Sequence, residues 1–169
     1  DDLISIEEPL EILLKYKNQD KWLTNSLSIT MRTPGHDEDL VIGFLHNEQI
    51  IQNINEIDDI KSLGEKVGQY NIQNKIQVTL NNSKNVDISK IKRDFITNSS
   101  CGVCGKSSLD TLEIIKKEKT LSFDPKLTKE TIVQSPTILR NNQSEFSKTG
   151  GIHASGLFSS NGKLISVRE

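Results

Sequence analysis

The run Leu27-Ser28-Ile29-Thr30-Met31-Arg32-Thr33-Pro34-Gly35-His36-Asp37-Glu38-Asp39-Leu40-Val41-Ile42-Gly43-Phe44-Leu45 changes its hydrophobic period partway along. Leu27, Ile29 and Met31 recur every second residue, which predicts a strand carrying all three on one face. Arg32-Thr33-Pro34-Gly35 breaks that strand. Thr33 followed by Pro34 reads as a helix cap and a first helical residue. Asp37, Glu38 and Asp39 fall in or near the first turn, where the helix dipole favours negative charge. Leu40, Val41, Phe44 and Leu45 then recur at helical spacing and predict a helix over about 36–48.

Outward from that run the pattern stays mixed. Pro9 to Tyr16 is a strand-length apolar run. Ile54, Ile57 and Ile60 fit either period, Ile76, Val78 and Leu80 alternate as a strand, and Lys92 to Thr97 suits one more short strand. Thr128 to Asn141 reads as a helix with Thr128 as cap and Glu130 in the first turn. Ile132, Val133, Pro136 and Leu139 would line it, with Pro136 kinking or splitting it. Asn161-Gly162 predicts a two-residue type I′ hairpin turn. That register sets Ser160 facing Lys163, Phe158 opposite Ile165 and Gly156 opposite Val167, with Leu157 and Leu164 on the other face. A hairpin apolar on both faces belongs inside a covered sheet. The chain ends one residue after it and begins without Met, so both ends are expected to be cuts. Trp22 and Phe44 are expected in the core, and His46, late on the first helix, is assigned no function.

The 169 residues allow one ordinary domain or two small ones, and the net charge is −2. That charge gives no case for nucleic-acid or anionic-membrane binding. No apolar window is long enough for a bilayer span, and the first residues lack the form of a signal peptide. The two cysteines are too few for a disulfide scaffold. A free dithiol in a reducing, cytoplasmic setting is the expectation.

Those cysteines lie in Asn98-Ser99-Ser100-Cys101-Gly102-Val103-Cys104-Gly105-Lys106-Ser107-Ser108. Four readings compete. A flexible loop with incidental cysteines fits poorly, because both cysteines fall in one short window. Half of a zinc site needs two more ligands, and His36, His46 and His153 show no paired spacing. Ser100 to Ser107 nearly matches a phosphate loop, but Ser100 stands where the first Gly is needed. A reactive thiol pair fits best. Lys106 favours the thiolate, and Ser107 or Ser108 would cap a helix carrying Leu109, Leu112 and Ile115. Such a thiol can attack a donor persulfide and hold its outer sulfur, and the second cysteine can displace or stabilise it. Dithiol exchange uses the same parts, but a thioredoxin-like enzyme places C-x-x-C near the N-terminus, at a helix start after a strand.

Outside the loop, Gly150-Gly151 before His153 would let backbone amides approach an anionic group, or serve only as a tight entry into a strand. His153 is open between a ligand contact and a structural role. Arg32 would clamp a phosphate, or stand on the surface beside the acidic helix start at Asp37 and Glu38.

Ser99-Ser100-Cys101-Gly102-Val103-Cys104-Gly105-Lys106 resembles the signature of the formate dehydrogenase accessory sulfurtransferases, the FdhD family. Glu7-Glu8-Pro9-Leu10 resembles that family's opening strand. Met31-Arg32-Thr33-Pro34-Gly35 with Asp39-Leu40 and Gly43-Phe44-Leu45 resembles its next landmark. Thr149-Gly150-Gly151-Ile152-His153-Ala154, with the run to Val167-Arg168-Glu169, resembles its hairpin. His36 and Ser155 depart from the usual residues, and the further α/β half that normally follows is absent.

The resemblance implies an α/β (mixed α+β) protein. Its parts would be an N-terminal α+β subdomain at 1–97, a cysteine-bearing loop at 98–108, and the first part of a cytidine-deaminase-like α/β core at 109–169. It implies a cytoplasmic homodimer with no permanently bound cofactor and no metal. Sulfur would come from a cysteine desulfurase as a persulfide on Cys101, helped by Cys104. It would pass to the molybdenum bis-pterin guanine dinucleotide cofactor, here the sulfur acceptor, for the client formate dehydrogenase. Arg32, Thr33, Lys106, Gly150, Gly151 and His153 would contact that acceptor. The rivals are a molybdenum-cofactor-binding chaperone without sulfur chemistry and a zinc-binding interaction module.

Overall fold

In the computed structural model, residues 2–67, 71–81 and 127–169 are described in full and residues 95–96 by backbone alone. The chain divides into two compact units. The described parts of one are residues 7–67, 71–81 and 95–96; those of the other are residues 2–6 and 127–169.

The larger unit is a mixed sheet with one helix. Its strands are β1 (Glu8–Asn18), β2 (Lys21–Arg32), β3 (Ile57–Leu63), β4 (Lys75–Leu80) and β5 (Phe95–Ile96), in the order β3-β4-β1-β2-β5. β1 pairs antiparallel with β2 and parallel with β4, so it lies at the centre. Helix α1 (Asp37–Asn47) lies in the connection from β2 to β3. Leu10, Ile12, Leu14 and Tyr16 of β1 and Ile76, Val78 and Leu80 of β4 form a core with Leu27, Val41, Leu45, Ile50 and Ile51. Leu40 and Phe44 pack at its margin, as their helical spacing predicts. The ambiguous Ile54 and Ile57 fall in a single 3-10 turn (Ile54–Glu56) and the start of β3, and β5 lies inside the run predicted at 92–97.

Two expectations for β2 and α1 are corrected. Leu27, Ile29 and Met31 do not share a face. The pairing jumps from Ile12–Ser28 to Leu13–Ser26, so Leu27 is an extra, bulged residue. Leu27 and Ser28 are both buried, the alternation then flips, and Ile29 and Met31 stand 59% and 55% exposed while Arg32 turns inward. Helix α1 is not capped by Thr33, nor does it begin at Pro34. Pro34 and Gly35 form a turn in which Gly35 takes φ 137°, a value no helical residue adopts. The helix therefore starts at Asp37 with His36 as N-cap and no side-chain cap bond. Trp22 is not core. The β1–β2 ribbon runs beyond Lys15, the last residue of β1 that pairs with β4, so Trp22 is 44% exposed with the Lys15 ammonium 5.4 Å from its ring centre.

In the smaller unit, helices α2 (Lys129–Asn141) and α3 (Ser144–Thr149) accompany a hairpin of β6 (Ser155–Phe158) and β7 (Leu164–Arg168). Thr128 caps α2 as expected, its hydroxyl accepting the Thr131 N–H at 3.2 Å. Pro136 does not split the helix, which runs through it unbroken. The helix face against the hairpin is Thr131, Ser135, Ile138 and Leu139, while Ile132 and Val133 are 59% and 66% exposed. Gly156 and Gly162 permit that contact. A Cβ on Gly156 would meet the Leu139 Cδ1 methyl at 3.0 Å, and one on Gly162 would meet the Thr131 methyl at 3.1 Å.

The hairpin turn is also corrected. A type I′ turn needs positive φ at both central residues, and Asn161 does not have it. Gly162 alone does, at φ 83°, and its N–H donates to Ser159 O at 2.9 Å. The loop is therefore Ser160-Asn161-Gly162, three residues long. Gly156 faces Val167 as expected, but Phe158 faces Leu164 because Ile165 is bulged. Leu164 thus joins Phe158 on the helix side near Gly156, and the open face carries Leu157 and Ile165, each 61% exposed.

Candidate functional site

Cys101, Cys104 and Lys106, with the helix start expected after them, lie outside the described residues. The other candidate residues fall in two places, one in each unit.

In the larger unit, β2 delivers Arg32 to the buried side of the sheet at the start of the α1 connection. Its side chain is 1% exposed. Nε and Nη2 donate to the two carboxylate oxygens of Asp37 at 2.9 and 3.0 Å, Nη1 donates to Glu8 O at 3.3 Å, and Nη2 to Gln73 O at 3.2 Å. Four of the five guanidinium donors are thereby engaged. The arrangement ties the first residue of α1, the first residue of β1 and the approach to β4 to one cation. Thr33, half-buried, follows it into the turn. Below, Gly35, His36, Asp37, Glu38, Asp39 and Ser62 line an acidic cleft of about 340 Å³.

In the smaller unit, α3 aims the Thr149-Gly150-Gly151-Ile152-His153 segment. Six residues make too short a helix to persist alone, and side chains hold this one at both ends. At its start the Glu169 carboxylate accepts the Glu145 N–H at 3.1 and 3.0 Å, the Phe146 N–H at 2.9 Å and the Ser144 hydroxyl at 3.3 Å. At its end Thr149 Oγ1 donates to Glu145 O at 3.0 Å and lies 2.9 Å from the Ser5 hydroxyl, which itself donates to Gly151 O at 3.1 Å. Gly150 closes the helix in the left-handed region at φ 73°, its N–H bonded to Phe146 O at 2.8 Å. The Gly151 N–H leans on Thr149 Oγ1 at 3.4 Å. Among the described residues no atom beyond the adjoining backbone lies within 4 Å of where a Cβ would stand on either glycine, and His153 is exposed beyond them. Space for a ligand exists here, beside the negative end of a short helix dipole.

Sequence reading missed Glu169 and Ser5 as supports of this segment. Each reaches it from more than twenty residues away, so no local spacing betrays the contact. Partial burial pushes the Glu169 carboxyl up, but the Glu145 and Phe146 amides and Ser144 together outweigh that and hold it below its ordinary value. A second cleft of about 340 Å³ lies between α2 and the hairpin tip, lined by Leu127, Ile132 and Phe158 with the hydroxyls of Thr131, Ser135, Ser159 and Ser160. Among the described residues no three His, Cys, Asp or Glu side chains come together to hold a metal, and no helix is long and apolar enough to cross a membrane.

An α+β chain with a paired-thiol motif and a glycine–histidine turn matches, over residues 5–169, the family described as FdhD/NarQ, and it belongs to that family. Among its relatives, the sulfur carrier protein FdhD of Sulfolobus acidocaldarius is 38% identical over 169 residues, covering 100% of this chain and 56% of that protein. The sulfur carrier protein FdhD of Saccharolobus solfataricus is 38% identical over 168 residues, covering 99% and 56%. That of Corynebacterium efficiens is 36% identical over 176 residues, covering 99% and 59%. The chain thus spans a little over half the length of these relatives. No solved structure matches it.

Proposed function

We propose that this chain carries sulfur on Cys101 as part of a sulfurtransferase. The observation that carries the reading is the full-length likeness to proteins named as sulfur carriers, with the chain's two cysteines set three residues apart inside the matched region. The Cys101 thiolate would attack the outer sulfur of a persulfide on a cysteine desulfurase. The donor S–S bond breaks, the desulfurase cysteine leaves as a thiolate, and Cys101 becomes the persulfide. Attack by the Cys104 thiolate on the Cys101 sulfur would then release hydrosulfide toward the acceptor and leave a Cys101–Cys104 disulfide. A second thiol must reduce that bond before the next cycle. Lys106 favours the thiolate form.

The acceptor in this reading is the molybdenum bis-pterin guanine dinucleotide cofactor destined for formate dehydrogenase, in a cytoplasmic homodimer. Thr33, Lys106, Gly150, Gly151 and His153 are proposed to contact it. Arg32, engaged by Asp37, would reach a phosphate only by giving up part of that pairing.

Incubation with a cysteine desulfurase and cysteine, followed by intact-mass measurement, tests the proposal. Wild-type protein is expected to gain sulfur and Cys101→Ser is not. No gain on wild type, or an equal gain on Cys101→Ser, rejects it. Cofactor binding untouched by Cys101→Ala, together with rescue of a null strain by that variant, would instead support a chaperone.

A further inference from the structure

Asn161 is the one asparagine in the chain that is followed by glycine, and it sits exposed at the β6–β7 tip. Its Oδ1 accepts the Ser159 hydroxyl and shares the Lys163 N–H, 3.4 Å away. A side-chain carbonyl bonded to the amide two residues on makes an Asx turn. That turn draws the Asn161 side chain back along the following backbone, and Gly162 brings no Cβ of its own to crowd its nitrogen, although the Thr131 side chain packs against Gly162. The Ser159 hydroxyl, which also reaches Lys163 O at 3.1 Å, is the main donor to the oxygen that would gain negative charge were that nitrogen to attack, since the Lys163 N–H lies closer to Ser159 Oγ at 3.1 Å. A donor so placed stabilises tetrahedral intermediates in acyl transfer.

We propose that Asn161 is a site of backbone-assisted deamidation, with Gly162 nitrogen as nucleophile and the Ser159 hydroxyl as the stabilising donor. The Gly162 nitrogen gives its proton to solvent hydroxide and bonds to Asn161 Cγ. Water protonates Nδ2, the Cγ–Nδ2 bond breaks, ammonia leaves with hydroxide regenerated, and a five-membered succinimide remains. Water opens that ring at either carbonyl, giving aspartate or isoaspartate with no change of oxidation state. The Gly162 N–H donates to Ser159 O at 2.9 Å, and this bond must open before the proton is lost. Because hydroxide takes that proton, the rate climbs with pH. Aspartate keeps the same acceptor oxygens and adds a charge at the rim of the Phe158–Ser160 cleft. Isoaspartate lengthens the backbone of a loop only three residues long and disturbs its register.

The test is incubation of the wild-type protein at neutral and mildly alkaline pH, followed by peptide mass mapping. Aspartate and isoaspartate are expected at position 161 about tenfold faster than at Asn25 or Asn142. Ser159→Ala is expected to slow the conversion about threefold or more, and Ser159→Thr, which keeps the hydroxyl, to restore it. Asn161→Gln should remove the signal from that peptide. Conversion at 161 no faster than at Asn25 and Asn142, or a Ser159→Ala rate at or above wild type, would overturn the proposal.

Discussion

Arg32 emerges from β2 on the buried side of the sheet, where only groups already inside the fold can satisfy it. Asp37 supplies a bidentate carboxylate, and the Glu8 and Gln73 carbonyls take two more donors. Removing a guanidinium from such a nest leaves a mostly buried carboxylate and two carbonyls without partners. Arg32→Ala is expected to cost about 2–3 kcal/mol, less than a fully buried pair because Asp37 keeps some solvent. Arg32→Lys should recover only part of it, since an ammonium cannot match the two carboxylate oxygens at once. Urea unfolding midpoints measure both, and a midpoint for Arg32→Ala equal to wild type would refute the anchoring role. Asp37 was legible as a neighbour of Arg32 from sequence. The burial of the pair was not, because it depends on Leu27 standing unpaired five residues earlier, a bulge that no local pattern marks.

Helix α3 is an element that its own residues cannot sustain, and Glu169 completes it. The carboxylate is held below its ordinary pKa, so its stabilising bonds are fully present above the usual carboxylate range and are lost as pH falls through the lowered value. The protection of the Glu145 and Phe146 amide protons, relative to intrinsic exchange at each pH, should therefore fall at acid pH, and Glu169→Gln should make that protection nearly independent of pH while leaving it weaker at neutrality. Amide exchange followed by NMR reads this directly. Wild-type rates that follow only intrinsic chemistry across the acid range would count against the cap. Elements with strong local signals were readable: β1, β4, α1 within a residue at each end, and the Thr128 cap. The hairpin turn was misread because Asn-Gly suits two loop lengths, and the packing of Thr131 against Gly162 accompanies the longer one. The stripe of α2 was misread in part: Leu139 meets the hairpin, but Val133 is exposed and Ile132 only borders the cleft at the hairpin tip.

Across the whole chain, every fully buried apolar residue among those described belongs to the unit built on β1 and β4. The described part of the unit of α2, α3, β6 and β7 has none, and a two-stranded sheet is marginal by itself. Hydrogen–deuterium exchange should therefore find the slowest amides in Leu10–Tyr16 and Ile76–Leu80 and markedly faster ones in Ser155–Arg168. Equal protection in the two regions would contradict the uneven core. The mixed fold class was legible because strand and helix periods alternate along the sequence. A hairpin apolar on both faces reads as part of a covered sheet, yet its outer pair, Leu157 and Ile165, is open among the described residues. The chain spans 56% of its first relatives, and membership in the family was carried by motif order rather than by periodicity.

The unpaired Leu27 makes β2 sensitive to parity. Strict alternation through an unbulged strand of the same length would turn Ile29 and Met31 toward α1 and send the arginine out on the far side, away from Asp37. Taking Leu27 itself out would remove the bulge and keep Ile29 and Met31 outward and Arg32 inward, at the cost of one buried leucine. A Leu27 deletion should accordingly keep the Arg32–Asp37 pair, and a deletion that folded with Arg32 turned outward would show that the sheet can choose its faces afresh.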